Sequence, residues 1–231
     1  ANGVDLTKQI TWDSMLEDGK KLHAENPDYY YLNTDTKILC EYVLRPYLRQ
    51  MTGESFIIDS EKKMSFTREQ LVEVLTYIKD CYDGGVFEPA EDSATFKGQI
   101  HTNPKWMDGK FVFAYGPSSS INLLMDAVPE AECTVVQMPM AEDRVNDGFF
   151  ADTPQYMTVN KNSEHVEEAV DFLNYFYNNT EAQETLKDVR SIPPTSTARQ
   201  LCADKGLLNQ TVVDAVDLAA GLNGKSDKGY T

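Results

Sequence analysis

The stretch Tyr115-Gly116-Pro117-Ser118-Ser119-Ser120 holds the residue types with the most obvious chemistry. A tyrosine at the end of an apolar run offers a flat ring to C–H surface and a hydroxyl that donates and accepts. Three serines opening an apolar run predict the first turn of a helix, where backbone N–H groups lack intrahelical partners. Tyr115, Gly116, Ser118 and Ser119 are therefore candidates to hold a hydroxylated small molecule without covalent chemistry. The plainer reading is a core tyrosine and a serine that caps the helix. Asp35 precedes a helix predicted from Thr36, and it reads also as an N-cap. Arg190, before Ile192-Pro193-Pro194, could reach an anionic or hydroxylated solute, or sit in solvent complementing a helix dipole. Gly148 leads into Phe149, Phe150 and Asp152, of which Phe150 and Asp152 complete the candidate set.

Catalysis finds little support. Gly-x-Ser-x-Gly, His-Glu-x-x-His and phosphate-cradling glycine loops are missing, and the carboxylates are spread over solvated helix faces. The three histidines lack metal-site spacing, and the four cysteines form no Cys-x-x-Cys. No catalytic residue, metal or cofactor is expected. Cys40 and Cys81 fall on or beside apolar helical faces, where a buried free thiol is the plainer reading and one or two disulfides the alternative. With 37 acidic against 21 basic residues the formal charge is −16, which disfavours nucleic acid and anionic membrane as partners. No apolar run approaches the roughly 20 residues that span a bilayer. The opening ANGVDLTKQ has neither a charged nor an apolar leader region, so a signal peptide is not expected within it.

The elements that must position the candidates follow from periodicity. Thr11 caps a helix carrying Trp12, Met15, Leu16 and Leu22, which Asn26-Pro27 stops. Tyr29–Leu32 reads as a buried strand. A helix from about Thr36 to Met51 presents Leu39, Tyr42, Val43 and Tyr47 on one stripe, with a kink at Pro46. Thr67-Arg68-Glu69-Gln70 is a capping box for a helix whose apolar face is Leu71, Val74, Leu75, Ile78 and Tyr82, ended by Gly84-Gly85. Ala90–Pro104 reads as a loop, Phe111–Tyr115 as a strand, Ile121–Val128 as a helix, and Cys133–Met138 as a strand. A strand at Tyr156–Asn160, helices at His165–Tyr177 and Glu181–Arg190, and a last helix near Val212–Ala220 complete the pattern. Helices interspersed with short apolar strands make the fold class α/β.

The block Asp152–Ser196 carries Ser163, Ala169, Phe172 and Leu173, then Thr180-Glu181-Ala182-Gln183, then Ile192-Pro193. In order and wording it resembles the late part of extracellular solute-binding proteins that feed sugar-type ABC importers (family 1, maltose-binding-protein-like). Thr11-Trp12-Asp13, Tyr82-Asp83-Gly84-Gly85, Trp106–Phe113, Tyr115–Ser119 and Val136–Pro139 are similar to further phrases of that family, in the same order. Ser118 departs from it, standing where relatives often place a stacking tryptophan.

The resemblance implies a periplasmic-binding-protein-like (type II) fold, mainly its C-terminal lobe, in a fragment lacking the N-terminal portion. It implies that residues 1–151 build the C-terminal lobe, 152–197 normally complete the other lobe, and 198–231 return. The block 152–197 is then expected to be under-packed. A non-catalytic, monomeric subunit is implied, capturing a mono- or oligosaccharide by hinge closure. It would work with ABC permease subunits on the outer face of the cell membrane, lipid-anchored or periplasmic. A sensor or adhesin without transport, or a non-catalytic part of a glycan hydrolase, is the alternative.

Overall fold

The computed structural model describes residues 4–58, 60–149 and 156–224. Helix α1 (Trp12–Glu25) begins with a capping box. Thr11 Oγ1 accepts from the Ser14 N–H at 3.0 Å, and Ser14 Oγ accepts from the Thr11 N–H at 2.9 Å. Trp12, Met15, Gly19 and Leu22 recur at helical spacing and are buried. A Cβ on Gly19 would stand 2.8 Å from Val86 Cγ2, so only glycine lets the helix lie this close. Strand β1 (Tyr30–Asn33) follows.

Helix α2 (Thr36–Leu39) runs through a π turn, Cys40–Leu44, into α3 (Arg45–Thr52). The irregularity lies just upstream of the kink expected at Pro46. Proline has no N–H for the carbonyl of Tyr42, four residues back, and its ring crowds that carbonyl. The backbone widens instead, and the Arg45 N–H bonds to the Cys40 carbonyl. Strands β2 (Ile57–Ile58) and β3 (Lys63–Met64) form a small antiparallel pair. Helix α4 (Arg68–Asp83) carries the expected capping box, with Thr67 and Gln70 reciprocally bonded. Its buried residues are Val74, Tyr77 and Cys81, while Leu75 is 48% exposed. The face is thus rotated from the expected one, because Tyr77 turns inward to donate to the Trp12 carbonyl at 2.8 Å.

Short turns fill the predicted loop: α5 (Ala90–Ser93), two 3₁₀ turns, and α6 (Pro104–Met107). Strand β4 (Phe111–Ala114) pairs parallel with β1, in the register Tyr30↔Phe111, Leu32↔Phe113, Asn33↔Ala114. After a 3₁₀ turn at Ser118–Ser120 comes α7 (Ile121–Asp126). The core of this region stacks Trp12 on Tyr47 (4.8 Å, 7°) with Tyr77 edge-on. Trp12 Nε1–H donates to Gln50 Oε1 at 2.7 Å, and the same oxygen accepts from the Ala141 N–H at 2.8 Å. Burying these donors is tolerable because each is paired.

The remaining elements are α8 (Val166–Asn178), α9 (Thr180–Leu186), α10 (Ser196–Asp204) and α11 (Gln210–Ala220). Helix α8 buries no residue, and Val170, Phe172 and Tyr175 stand exposed, Phe172 by 57%. Ala182, Gln183, Ala198 and Cys202 are buried where α9 and α10 meet. No described helix is long and apolar enough to cross a membrane.

Five expectations need correction. Cys133–Met138 and Tyr156–Asn160 are not strands; strands need a neighbour's hydrogen bonds, and among the described residues neither segment has one alongside. Just past the first, the Met140 N–H bonds to the Ile10 carbonyl at 3.0 Å in an isolated bridge with Thr11. The helix expected to reach Arg190 ends at Leu186, since Lys187 takes φ 50°. Cys40 is exposed, because the π turn rotates it out, whereas Cys81 is a buried free thiol as read. No serine caps α7 through its side chain: Ser120 Oγ donates back to the Pro117 carbonyl at 2.8 Å.

Candidate functional site

Parallel pairing brings the carboxyl ends of β1 and β4 side by side, so Thr34-Asp35 and Tyr115-Gly116 leave the sheet together. In open α/β sheets that edge is where ligands bind, because the chain turns away there and leaves a crevice. Tyr115 is half-buried, with its hydroxyl 4.0 Å from the buried Met15 Sδ, and burial holds its phenol well above the usual range. Tyr42 lies 6.4 Å from it, ring to ring, and Phe149 lies 6.2 Å beyond Tyr42. Three aromatic rings thus form a row beside the strand ends. Tyr42 stands in the π turn, a distortion frequent at functional sites. Burial, then Glu41, pushes its phenol up to about 12, so it stays a neutral donor and acceptor at physiological pH.

Polar groups flank the row. The serine turn folds back on the strand end, so that a Cβ on Gly116 would meet Ser120 Oγ at 2.4 Å and turn that hydroxyl aside. Ser118 Oγ accepts from Ser191 Oγ at 2.7 Å. This contact ties the start of the serine turn to the loop that carries Arg190. Asn122 Nδ2 donates to the Asp188 carbonyl at 3.1 Å in the same loop. The arrangement pairs ring faces with hydroxyl and amide groups. It can hold a polyhydroxylated molecule by stacking and hydrogen bonding, and it brings no nucleophile together with a base.

The sequence model of bacterial extracellular solute-binding proteins matches residues 6–215. The chain belongs to that family. Comparison with curated proteins gives no match. Among solved structures, this solute-binding chain superposes with a TM-score of 0.85, at 24% identity, on a periplasmic oligogalacturonide-binding protein from Yersinia enterocolitica in complex with saturated digalacturonic acid. The match covers 97% of this chain and 56% of that one. A periplasmic solute-binding protein from Pectobacterium atrosepticum matches with a TM-score of 0.80 at 20% identity, over 100% and 58%. A family 1 extracellular solute-binding protein from Alicyclobacillus acidocaldarius gives 0.64 at 21%, over 95% and 55%. The periplasmic-binding-protein-like fold is therefore that of this chain, which spans a little over half the length of these structures.

Within the solute-binding fold, Tyr115, Gly116, Ser118 and Ser119 lie together at the strand edge, and the Ser191 contact brings the Arg190 loop to them. Arg190 itself is exposed. Asp35 is fully buried, and both its oxygens are engaged, by the Ile38 N–H at 2.8 Å and the Gly98 N–H at 2.6 Å. It fastens the loop beside the edge. Phe150 and Asp152 lie outside the described residues. Sequence reasoning missed Tyr42, taken for an ordinary member of a helical stripe, and Ser191 and Asn122. One signal was available: Pro46 four residues after Tyr42 removes the N–H that Tyr42's carbonyl needs, marking that turn as irregular.

Proposed function

We propose that this protein is the solute-recognition component of an ABC import system for carbohydrate, capturing its ligand without catalysis between two lobes that close by hinge bending. The observation that carries the reading is the aromatic row Tyr115–Tyr42–Phe149 at the carboxyl edge of β1 and β4, flanked by Ser118 and Ser119. Sugar rings present C–H patches to aromatic faces and hydroxyls to polar rims. Support comes from the Yersinia enterocolitica protein, which shares the fold and holds a saturated digalacturonic acid.

Residues 1–151 and 198–231 make up the C-terminal lobe in this reading, and 152–197 belong with the other. The exposed apolar side of α8, with a groove of about 370 Å³ lined by Met157, Val159, Phe172 and Leu173, supports that division. The second wall of the cleft then comes from polypeptide that the matched structures have and these residues do not span. The protein works as a monomer on the outer face of the membrane, lipid-anchored or periplasmic, and delivers solute to permease subunits.

Thermal-shift screening of the full-length protein against mono- and oligosaccharides tests this. A ligand at 100 times its dissociation constant adds roughly 2.7 kcal/mol. Tyr42→Leu should weaken that ligand at least tenfold, measured at a temperature where the unliganded variant is folded. If no sugar shifts the transition, or if any sugar is turned over, the reading fails.

A further inference from the structure

The loop Lys187–Ser191, which leaves α9, is held in a conformation that side-chain-bearing residues rarely adopt. Lys187 and Ser191 have φ of 50° and 87°. Four hydrogen bonds fasten the loop and its supports. The Asn209 N–H donates to Asp188 Oδ2 at 2.5 Å, and Asn122 Nδ2 donates to the Asp188 carbonyl at 3.1 Å. Asn209 Nδ2 donates to Asn122 Oδ1 at 2.9 Å, and Ser191 Oγ bonds to Ser118 Oγ at 2.7 Å. Strain that the surroundings hold in place marks a segment whose shape is used.

What the loop presents is positive. Lys187 and Arg190 are both exposed, and among the described residues neither side chain makes an ion pair or a hydrogen bond. Acidic groups around it are already engaged, Glu184 by Lys205 Nζ at 2.6 Å. Asp188 is 8% exposed and bonded to Asn209, and Asp35 is fully buried with both oxygens engaged. In a chain of formal charge −16, an anionic ligand meets repulsion at a distance and needs a local cation to settle. An arginine on a fixed backbone supplies a planar fork matched to a carboxylate.

We propose that the Lys187–Ser191 loop reads a negative group on the solute, so that the preferred ligand is a carboxylated sugar, a uronate, over a neutral one. This rests on the reading of the strand edge as a carbohydrate site. Arg190 contacts the carboxylate and Lys187 adds charge nearby. Asn122 and Ser118 are positioning residues that act through the loop.

Calorimetry on the full-length protein compares a uronate disaccharide with the uncharged disaccharide of the same linkage. The uronate should bind at least tenfold tighter. Arg190→Gln should cost the uronate at least tenfold and the neutral sugar less than twofold, with Arg190→Lys recovering part of the loss. Asn122→Ala should narrow the preference, because the loop loses one of its fastenings. Equal affinities for the two sugars, or a preference that survives Arg190→Gln, overturns the inference and leaves the carbohydrate reading standing. Binding of neither sugar overturns both.

Discussion

Helices α4 and α8 put similar sequence patterns to opposite use. Both are amphipathic and similar in length, 16 and 13 residues. Helix α4 packs on α1, α3 and the π turn and buries Val74, Tyr77 and Cys81, and Tyr77 reaches through to the Trp12 carbonyl. Helix α8, with Val166, Val170, Phe172 and Tyr175 exposed, buries nothing. An apolar face in a sequence states that a partner exists, and says nothing of whether the partner lies in the same stretch of chain. Patches of this kind on soluble proteins mark surfaces that something covers. The contrast separates a helix whose apolar face is covered within the described residues from one whose apolar face is not.

Core truncation breaks or confirms that contrast most directly. In the 231-residue chain, Trp12→Ala should cost about 3–5 kcal/mol, because it removes a buried stacked ring and one of the two donors to Gln50 Oε1. Phe172→Ala should fall within about 0.5 kcal/mol, as exposed substitutions do. Urea denaturation of both variants decides, and a large loss at Phe172 would mean that α8 is already packed. Alkaline titration gives a smaller effect, with the large shifts in the first region. Burial pushes the Cys81 thiol from 9.0 up to about 12, and the Tyr42 and Tyr47 phenols from 10.0 to about 12. Below pH 9 these groups are protonated in both states. Above it the unfolded chain sheds its protons first, so stability falls as pH rises toward 12. Arg49, lowered by burial to about 10 from 12.5, acts with the opposite sign above pH 10 and offsets only part of the fall. Denaturation at pH 8, 9 and 10 should show a shallower decline in Cys81→Ala, and an identical slope would contradict the burial. A local effect is expected at the α4 cap. Thr67→Ala should cost about 1 kcal/mol, since the Gln70 N–H loses its partner in a helix that depends on docking.

Local signals were the legible ones. The Thr11 and Thr67 caps involve atoms three residues apart, so their pattern can be read from the chain itself. The parallel neighbours Tyr30–Asn33 and Phe111–Ala114 were found as apolar runs, though their register depends on the intervening helices. Non-local demands defeated the reading. Cys133–Met138 and Tyr156–Asn160 have strand-like residues but no described strand to pair with. The rotated face of α4 follows from the need of Tyr77 for the Trp12 carbonyl, 65 positions away. At the site, Tyr115 and Ser118 were legible from their turn, while Tyr42 and Ser191 were not. Their roles come from the π turn and from a contact 73 positions long.

The central claim is that the strand edge is one wall of a two-walled clamp. Calorimetry with one and the same sugar, on the 231-residue chain and on the full-length protein, tests it most directly. A solute bound at about 1 μM by the whole protein, worth about 8.2 kcal/mol, should bind the shorter chain only near 1 mM, about 4.1 kcal/mol, because half of its contacts are gone. Equal affinity in both would contradict the account, for the edge would then be a complete site and the α8 face would need another explanation.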